Sequence, residues 1–319
     1  MSIIITVTLN PTIDKTFFVP SLLENQKLQC PEVVEQPGGG GIVVSRAIKK
    51  LGGYSKALFL SGGHLGAFFV ELFKKKKIEY ESFKIQNETR QSLIIRDDLN
   101  SKHYILDAPG PIIFDTEWQD LLTYISKQKN VSYLVASGNL PPGVPIDFYA
   151  QMAKIAKQIN AKFILDTDGE PLQLAINEGL YLIKPNLKEM GILTGIVTID
   201  IETAKAIGIG IINSKKCEAV VISLGSEGAL LITENFTEYF VTPKIEAKNT
   251  SGAGDCMLAG IVLKLSENAH LKEAVRYGVS CGAATCMKTG TDLFIKKNVD
   301  ILFENHSNSG LTYFKNQKN

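Results

Sequence analysis

The sequence has almost no charge imbalance. Thirty-four Lys and Arg stand against 33 Asp and Glu, a formal net charge of +1 at pH 7. No global field draws such a chain to nucleic acid or to a membrane surface, so any recognition of anions must be local. Cysteine is scarce, odd in number and scattered: Cys30, Cys217, Cys256, Cys281 and Cys286, with no Cys-x-x-Cys pair. That pattern argues against a disulfide framework and a zinc site and fits a reducing, cytoplasmic setting. No apolar run reaches the roughly 18 residues of a membrane span. The opening Met1-Ser-Ile-Ile-Ile-Thr-Val-Thr-Leu9 lacks the basic region of a signal peptide and reads as a buried strand. Gly-Lys does not occur anywhere, which removes a Walker A loop, and the G-x-G-x-x-G spacing of a dinucleotide fingerprint fails. Linkers rich in Pro, Gly or Ser, internal repeats and low-complexity tracts are absent as well.

What is present is an ordinary globular composition, 45% hydrophobic and 21% charged over 319 residues, a length that α/β folds can hold in one unit. Strand-like apolar runs alternate with helix-like segments. The strands are Ile3–Leu9, Ala57–Leu60, Tyr133–Ala136, Phe163–Asp166, Tyr181–Ile183 and Ala219–Ser223. Between and after them come helical patterns at Ile42–Leu51, Gly66–Lys76, Thr116–Lys127, Ile146–Ile159, Ile201–Asn213, Gly252–Leu265 and Leu271–Lys288. Alternation of this kind predicts a parallel sheet with crossover helices, its strands buried on both faces. Two stretches depart from it. Short strands at Lys15–Val19 and Leu28–Glu35, and a hairpin at Arg90–Arg96 and Lys102–Leu106, predict a small second sheet. The polar tail from Asn305 to Asn319 reads as a frayed end.

Several segments could carry chemistry. In Asn249-Thr-Ser-Gly-Ala-Gly-Asp-Cys256 a glycine turn opens an apolar helix, so Gly252, Ala253 and Gly254 offer free N–H groups and the positive end of a helix dipole to an anion. Asp255 then lies in the first turn, placed to take a proton from an alcohol beside a phosphoryl group; an ordinary acidic first turn is the plainer explanation. Pro37-Gly-Gly-Gly-Gly41 enters a helix and either admits a ligand close to the backbone or simply turns the chain. Lys184-Pro-Asn-Leu-Lys-Glu189 sets Asn186 and Glu189 three apart, which suits a metal-bound water near a triphosphate and equally a capping box. Ser223-Leu-Gly-Ser-Glu-Gly228 ends a strand where open α/β sheets bind ligands, or forms a plain turn. Asp14 could accept hydrogen bonds from sugar hydroxyls or fix a turn. Lys27 and Arg90 could pair with a phosphate, though most lone cations only face water.

These pieces occur together and in one order from about residue 3 to about residue 295. The combination resembles the PfkB family of ribokinase-like sugar kinases, on Asn10-Pro-Thr-Ile-Asp14, the glycine run, Lys184-Pro-Asn-Leu-Lys-Glu189, Ser223-Leu-Gly-Ser-Glu-Gly228 and Thr250-Ser-Gly-Ala-Gly-Asp255. The four-glycine run without a lysine and Ser137-Gly-Asn-Leu-Pro-Pro-Gly143 are similar to the minor-type 6-phosphofructokinase branch. The resemblance implies a three-layer α/β sandwich with a mostly parallel central sheet, spanning 1–319 as one kinase domain, with lid strands inserted at about 15–36 and 88–107. It implies ATP as co-substrate and Mg²⁺ as cofactor, a homodimer paired through the lid, and fructose 6-phosphate as the acceptor. Tagatose 6-phosphate and fructose 1-phosphate are the alternatives within the fold, and a non-catalytic sugar-phosphate or nucleotide sensor is the alternative outside it.

By the same resemblance Asp255 is the base and Gly252, Ala253 and Gly254 the anion hole. Asp14, Gly39, Gly40, Lys27, Arg90 and Asn139 hold the sugar phosphate. Lys184, Asn186, Ser223, Gly225 and Gly228 hold ATP, and Asn186 with Glu189 organises Mg²⁺ largely through water. Two departures bear on the sugar. Val43 stands where the family has an Asn that contacts it, a loss of about 1–3 kcal/mol if the partner stays unpaired. Asn139 replaces a small hydroxyl side chain.

Overall fold

In the computed structural model, which describes residues 2–100, 102–288 and 292–309, the chain begins with β1 (Ile3–Thr8), β2 (Thr12–Val19), β3 (Glu32–Gly38), α1 (Gly40–Leu51), β4 (Lys56–Gly62) and α2 (Gly63–Lys74). There follow β5 (Glu79–Ile85), β6 (Arg90–Asp97), β7 (Lys102–Asp107), α3 (Asp115–Ser126), β8 (Val131–Ser137), α4 (Phe148–Gln158), β9 (Lys162–Asp166) and α5 (Gly169–Asn177). The remainder is β10 (Leu180–Ile183), α6 (Leu187–Thr194), α7 (Ile201–Asn213), β11 (Cys217–Ser223), β12 (Gly228–Thr233), β13 (Thr237–Val241), α8 (Ala253–Ser266), α9 (Leu271–Cys286) and α10 (Lys296–Ser309).

Nine strands form one sheet in the order β13-β12-β11-β10-β9-β8-β1-β4-β5. It is parallel except at β12 and β13, which pair antiparallel at one edge. The two-residue period of a strand sends alternate side chains to opposite faces. Ile5, Val7, Leu134, Ala136, Leu165 and Ile222 pack under α3 to α7, while Ile4, Val135, Ile164, Leu182 and Val221 pack under α1, α8, α9 and α10. The result is a three-layer α/β sandwich, helices on both faces of a mostly parallel sheet. Among the described residues no helix is long and apolar enough to cross a membrane.

The second sheet, β3-β2-β6-β7, grows from the carboxyl ends of the main one: β2 follows β1, and β6 follows β5. Its stem is fastened by a buried hydrogen bond between the Thr12 and Ser92 hydroxyls (3.0 Å) and by Ile13, which packs with Ile42, Phe59, Phe69 and Phe73. At the far end Asp97 accepts from Leu22 N (3.1 Å) and from Asn100 N (3.0 Å), tying the β2–β3 connection to the β6–β7 turn.

Some elements differ from the sequence expectation. β2 starts at Thr12, so Asp14 is a strand residue rather than part of a turn. β3 runs from Glu32 through Gly38, not from Leu28, so the first glycine of the run is extended backbone and Gly40 already belongs to α1. Cross-strand pairing with β2 imposes both shifts, since Asp14 pairs with Gln36 and Thr12 with Gly38. The half-polar edge strands β5 and β13 and the polar α10 carry no strong apolar period of their own, and tertiary contacts decide them; β12, with Ala229, Leu230, Leu231 and Ile232 buried, and α5 do carry apolar residues but form no part of the sequence expectation. α10 remains helical to Ser309, past the point at which fraying is expected; the rest of the tail lies outside the described residues.

Phe59 is fully buried with edge-on contacts to Phe69 (5.1 Å) and Phe73 (5.2 Å). Phe59→Ala should cost about 3–5 kcal/mol. Because that cluster also seats Ile13, limited proteolysis of the variant should cut the small sheet before the main one.

Candidate active site

The functional side chains gather where the parallel strands end. Ser137 closes β8, Asp166 closes β9, Lys184 follows β10, Ser223 closes β11, and the N-terminus of α8 faces them all. A cleft of about 780 Å³ runs along these ends, lined among others by Asp166, Lys184, Asn186, Ser223, Gly225 and Asp255. Thus the structure brings together most of the nucleotide and catalytic residues expected from sequence.

Gly252 caps α8 in the left-handed region (φ 73°), a conformation that glycine adopts without a Cβ penalty. The chain can then enter the helix so that the Gly254 and Asp255 amides, which have no preceding helical carbonyl to bind, point outward. The Ala253 amide is partly engaged, donating to Thr250 O at 3.3 Å. Asp255 accepts from the Ser137 hydroxyl at 3.1 Å. Burial pushes its carboxyl up to about 7; Asp166 adds to the shift, while Lys184 and the Ser137 hydrogen bond oppose it.

Lys184 is a buried cation of the site, 5% exposed and 3.2 Å from the Asp166 carboxylate. Burial alone would lower its pKa, but Asp166, Asp255 and Glu189 together hold the ammonium above its ordinary value. It lies against the glycine turn: a Cβ on Gly254 would stand 3.4 Å from its Nζ.

A second group of side chains comes from the small sheet and α1. Burial raises the Asp14 carboxyl to about 7, against the pull of Arg46 and Arg90. Gly38 leaves room for it, since a Cβ there would fall 2.1 Å from Asp14 Oδ2. Arg46 is buried and donates to Pro37 O (2.7 Å) and to Gln36 Oε1. Arg90 pairs with Asp107 (2.5 Å) and donates to Ala108 O (3.1 Å). Val43 is 8% exposed, with its Cγ1 3.7 Å from where a Gly252 Cβ would stand. It fills apolar space beneath the glycine turn. Asn139 is exposed just past the end of β8. Lys27 sits on the exposed β2–β3 connection and forms no ion pair among the described residues, so the structure does not draw it into this group.

Asn186 and Glu189 form a complete capping box at the start of α6. Glu189 N donates to Asn186 Oδ1 (2.9 Å), Asn186 N to Glu189 Oε2 (2.9 Å), and Asn186 Nδ2 to Glu189 Oε1 (2.6 Å). The plainer reading of this pair therefore holds, yet both residues line the cleft. Burial raises the Glu189 carboxyl. Ser223 N donates to Pro185 O (2.8 Å), which locks the two strand ends side by side. Gly225 and Gly228 bracket one turn of 3-10 helix between β11 and β12.

A profile for pfkB family carbohydrate kinases matches residues 7–298. The chain belongs to the pfkB family of carbohydrate kinases. It is 35% identical over 291 residues to ATP-dependent 6-phosphofructokinase isozyme 2 of Escherichia coli K12, covering 91% of this chain and 94% of that one. It is 30% identical to 1-phosphofructokinase of Bacillus subtilis, covering 92% and 96%. The crystal structure of Escherichia coli phosphofructokinase-2 in complex with fructose-6-phosphate superposes with a TM-score of 0.89 at 33% identity, over 96% of this chain and all of that one.

Within this pfkB-family site, three residues were not singled out from sequence. Asp166 ends an apolar strand, and a carboxylate at the carboxyl end of a parallel strand is itself a signal. Ser137 precedes the glycine of Ser137-Gly-Asn139 but could not be assigned without knowing that it faces Asp255. Arg46 is an interior cation on an apolar helix, paired only through the fold. Gly38→Ala should displace the Asp14 carboxylate from its recess while leaving helix and strand backbones unstrained. The expected outcome is a sugar KM raised about tenfold or more with a melting temperature within about 3 °C of the parent, measured by steady-state kinetics and thermal unfolding.

Proposed function

We propose that the protein transfers the γ-phosphoryl group of ATP to fructose 6-phosphate, giving fructose 1,6-bisphosphate and ADP. The observation that carries the reading is a buried carboxylate, Asp255, in the first turn of α8, directly after a glycine turn and beside a buried lysine. Asp255 accepts the proton of the acceptor hydroxyl as that oxygen attacks the γ-phosphorus. The bond to the ADP oxygen breaks, and the negative charge on the transferring group meets the α8 amides and Lys184. Asp14, with Gly39, Gly40 and Asn139, holds the sugar, and Arg90 serves its phosphate end; Lys27, exposed on the β2–β3 connection, would have to be brought in from outside this group to do the same. Ser223, Gly225 and Gly228 flank the nucleotide.

No cluster of three or more acidic, His or Cys ligands that could hold a metal occurs among the described residues, and both oxygens of Glu189 are engaged by Asn186. This donor set fits Mg²⁺ held by ATP phosphates and, through waters, by Asn186 and Glu189. Bound there, the ion neutralises phosphate charge.

The small sheet also supports a homodimer. By register, Val33, Phe17, Ile95 and Tyr104 form one row on a single face, and Leu93 and Leu106 lie in the next row of the same face. Val33, Leu93, Tyr104 and Leu106 are 37–55% exposed. Lys15 and Glu35 share the row of Leu93 and Leu106 and pair with each other (2.9 Å), so a largely apolar face with its charges internally paired fits a second copy of itself. Leu93→Asp combined with Leu106→Asp should yield a monomer by light scattering, with a sharply raised sugar KM if the lid closes across the pair.

A second acceptor is favoured by one observation: Val43 and Asn139 alter the sugar wall, and 1-phosphofructokinase is among the relatives. ADP release with Mg²⁺ and fructose 6-phosphate, tagatose 6-phosphate or fructose 1-phosphate decides between them. Asp255→Asn should lower kcat about 10²–10⁴-fold with the preferred acceptor; near-normal turnover would remove Asp255 from the base role. The pH dependence has a fixed sign. Asp255 and Asp14 work as carboxylates, so acidification below about 7 protonates both, lowering kcat through Asp255 and raising the sugar KM through Asp14.

A further inference from the structure

The proposed base accepts a hydrogen bond from a serine hydroxyl that neither binds a ligand in this reading nor belongs to the glycine turn. Ser137 is the last residue of β8 and is 3% exposed. The backbone after it is clamped on three sides. Gly138 N donates to Asp166 O (3.0 Å), and Gly138 O accepts from the Tyr149 hydroxyl (2.7 Å) and from Thr167 Oγ1 (3.1 Å). Gly40 leaves the space that the hydroxyl occupies, since a Cβ there would stand 2.2 Å from Ser137 Oγ. The hydroxyl has one proton and two carboxylates in reach, Asp255 Oδ1 at 3.1 Å and Asp166 Oδ2 at 3.4 Å. Asp166 already has the Lys184 ammonium at 3.2 Å, so the shorter contact to Asp255 takes the proton.

We propose that Ser137 is the positioning residue for the base: its clamped hydroxyl commits one oxygen of Asp255 and leaves Oδ2, which has no hydrogen-bond partner among the described residues, for the acceptor hydroxyl. This rests on the reading of Asp255 as base. A hydrogen bond to a carboxylate favours its charged form. Asp255 is otherwise faced by Asp166 from β9 and Asp14 from β2, which oppose ionisation, and by Lys184 after β10, which favours it, with Glu189 of α6 acting on that lysine. Removing the hydroxyl therefore shifts the balance toward the protonated, inactive carboxyl.

The test is the pH profile of kcat for the full-length protein with Mg²⁺, ATP and fructose 6-phosphate, joined to a ¹³C-carboxyl NMR titration of Asp255 assigned through Asp255→Asn. Ser137→Ala should move the acid limb up by about one pH unit, so that kcat falls about tenfold below neutrality and recovers to within about threefold at pH 9. The Asp255 carboxyl should move by the same amount, and Ser137→Thr, which keeps the hydroxyl, should restore both. Gly40→Ala, which crowds the hydroxyl from α1, should reproduce the NMR shift and serves if Ser137→Ala does not fold. An unmoved carboxyl midpoint, or an equal loss of kcat at every pH, would overturn the proposal. Wild-type protein inactive on every sugar phosphate would sink the kinase reading instead, while the carboxyl titration would still decide what Ser137 does.

Discussion

Lys184, buried among Asp166, Asp255 and Glu189, is the interaction on which the site depends. A lone ammonium at that depth would be expensive to desolvate, and the carboxylates alone would repel one another. Together they are tolerable, and only in one arrangement, because β9, β10 and α8 must all end at the same place. Removing Lys184 would leave the carboxylates without their cation in the interior, with a typical penalty of about 3–5 kcal/mol. The cluster thus links the chemistry to the register of the main sheet, since β10 pairs with β9 through Leu182–Ile164 and Ile183–Leu165.

The same burial explains why Asp255 and Asp14 are both pushed up to about 7. Each is an acid held at the boundary between its two forms at physiological pH, a condition that suits proton transfer. They achieve it from different parts of the fold. Asp255 is carried by a helix of the main layer, whereas Asp14 is carried by a strand of the small sheet.

Close approach of backbones is the other constraint. Gly38 and Gly40 have almost no room for a methyl group because the Asp14 carboxylate and the Ser137 hydroxyl occupy that space. The glycine run is less a flexible phosphate loop than the thin wall between α1 and two functional side chains. Arg46, reaching back from α1 to Pro37 and Gln36, holds that wall in place.

Sequence alone determined the alternation of buried strands and helices, the small second sheet, and the α8 turn with Asp255, because each depends on local periodicity or on glycine and capping chemistry within a few residues. The motifs Lys184–Glu189 and Ser223–Gly228 were legible for the same reason, whereas Val43 stood out only against the pattern of the family that the chain resembles. Only the tertiary structure decided that Asn186 and Glu189 are bonded chiefly to each other, that Arg90 is engaged by Asp107, and that Lys27 stands apart on an exposed connection. Asp166, Ser137 and Arg46 could not have been assigned from local pattern. Their roles come from neighbours 18, 118 and 10 residues away, at Lys184, Asp255 and Gln36, which strand order and register bring into contact; charge pairing and burial act through space and leave no period in the chain.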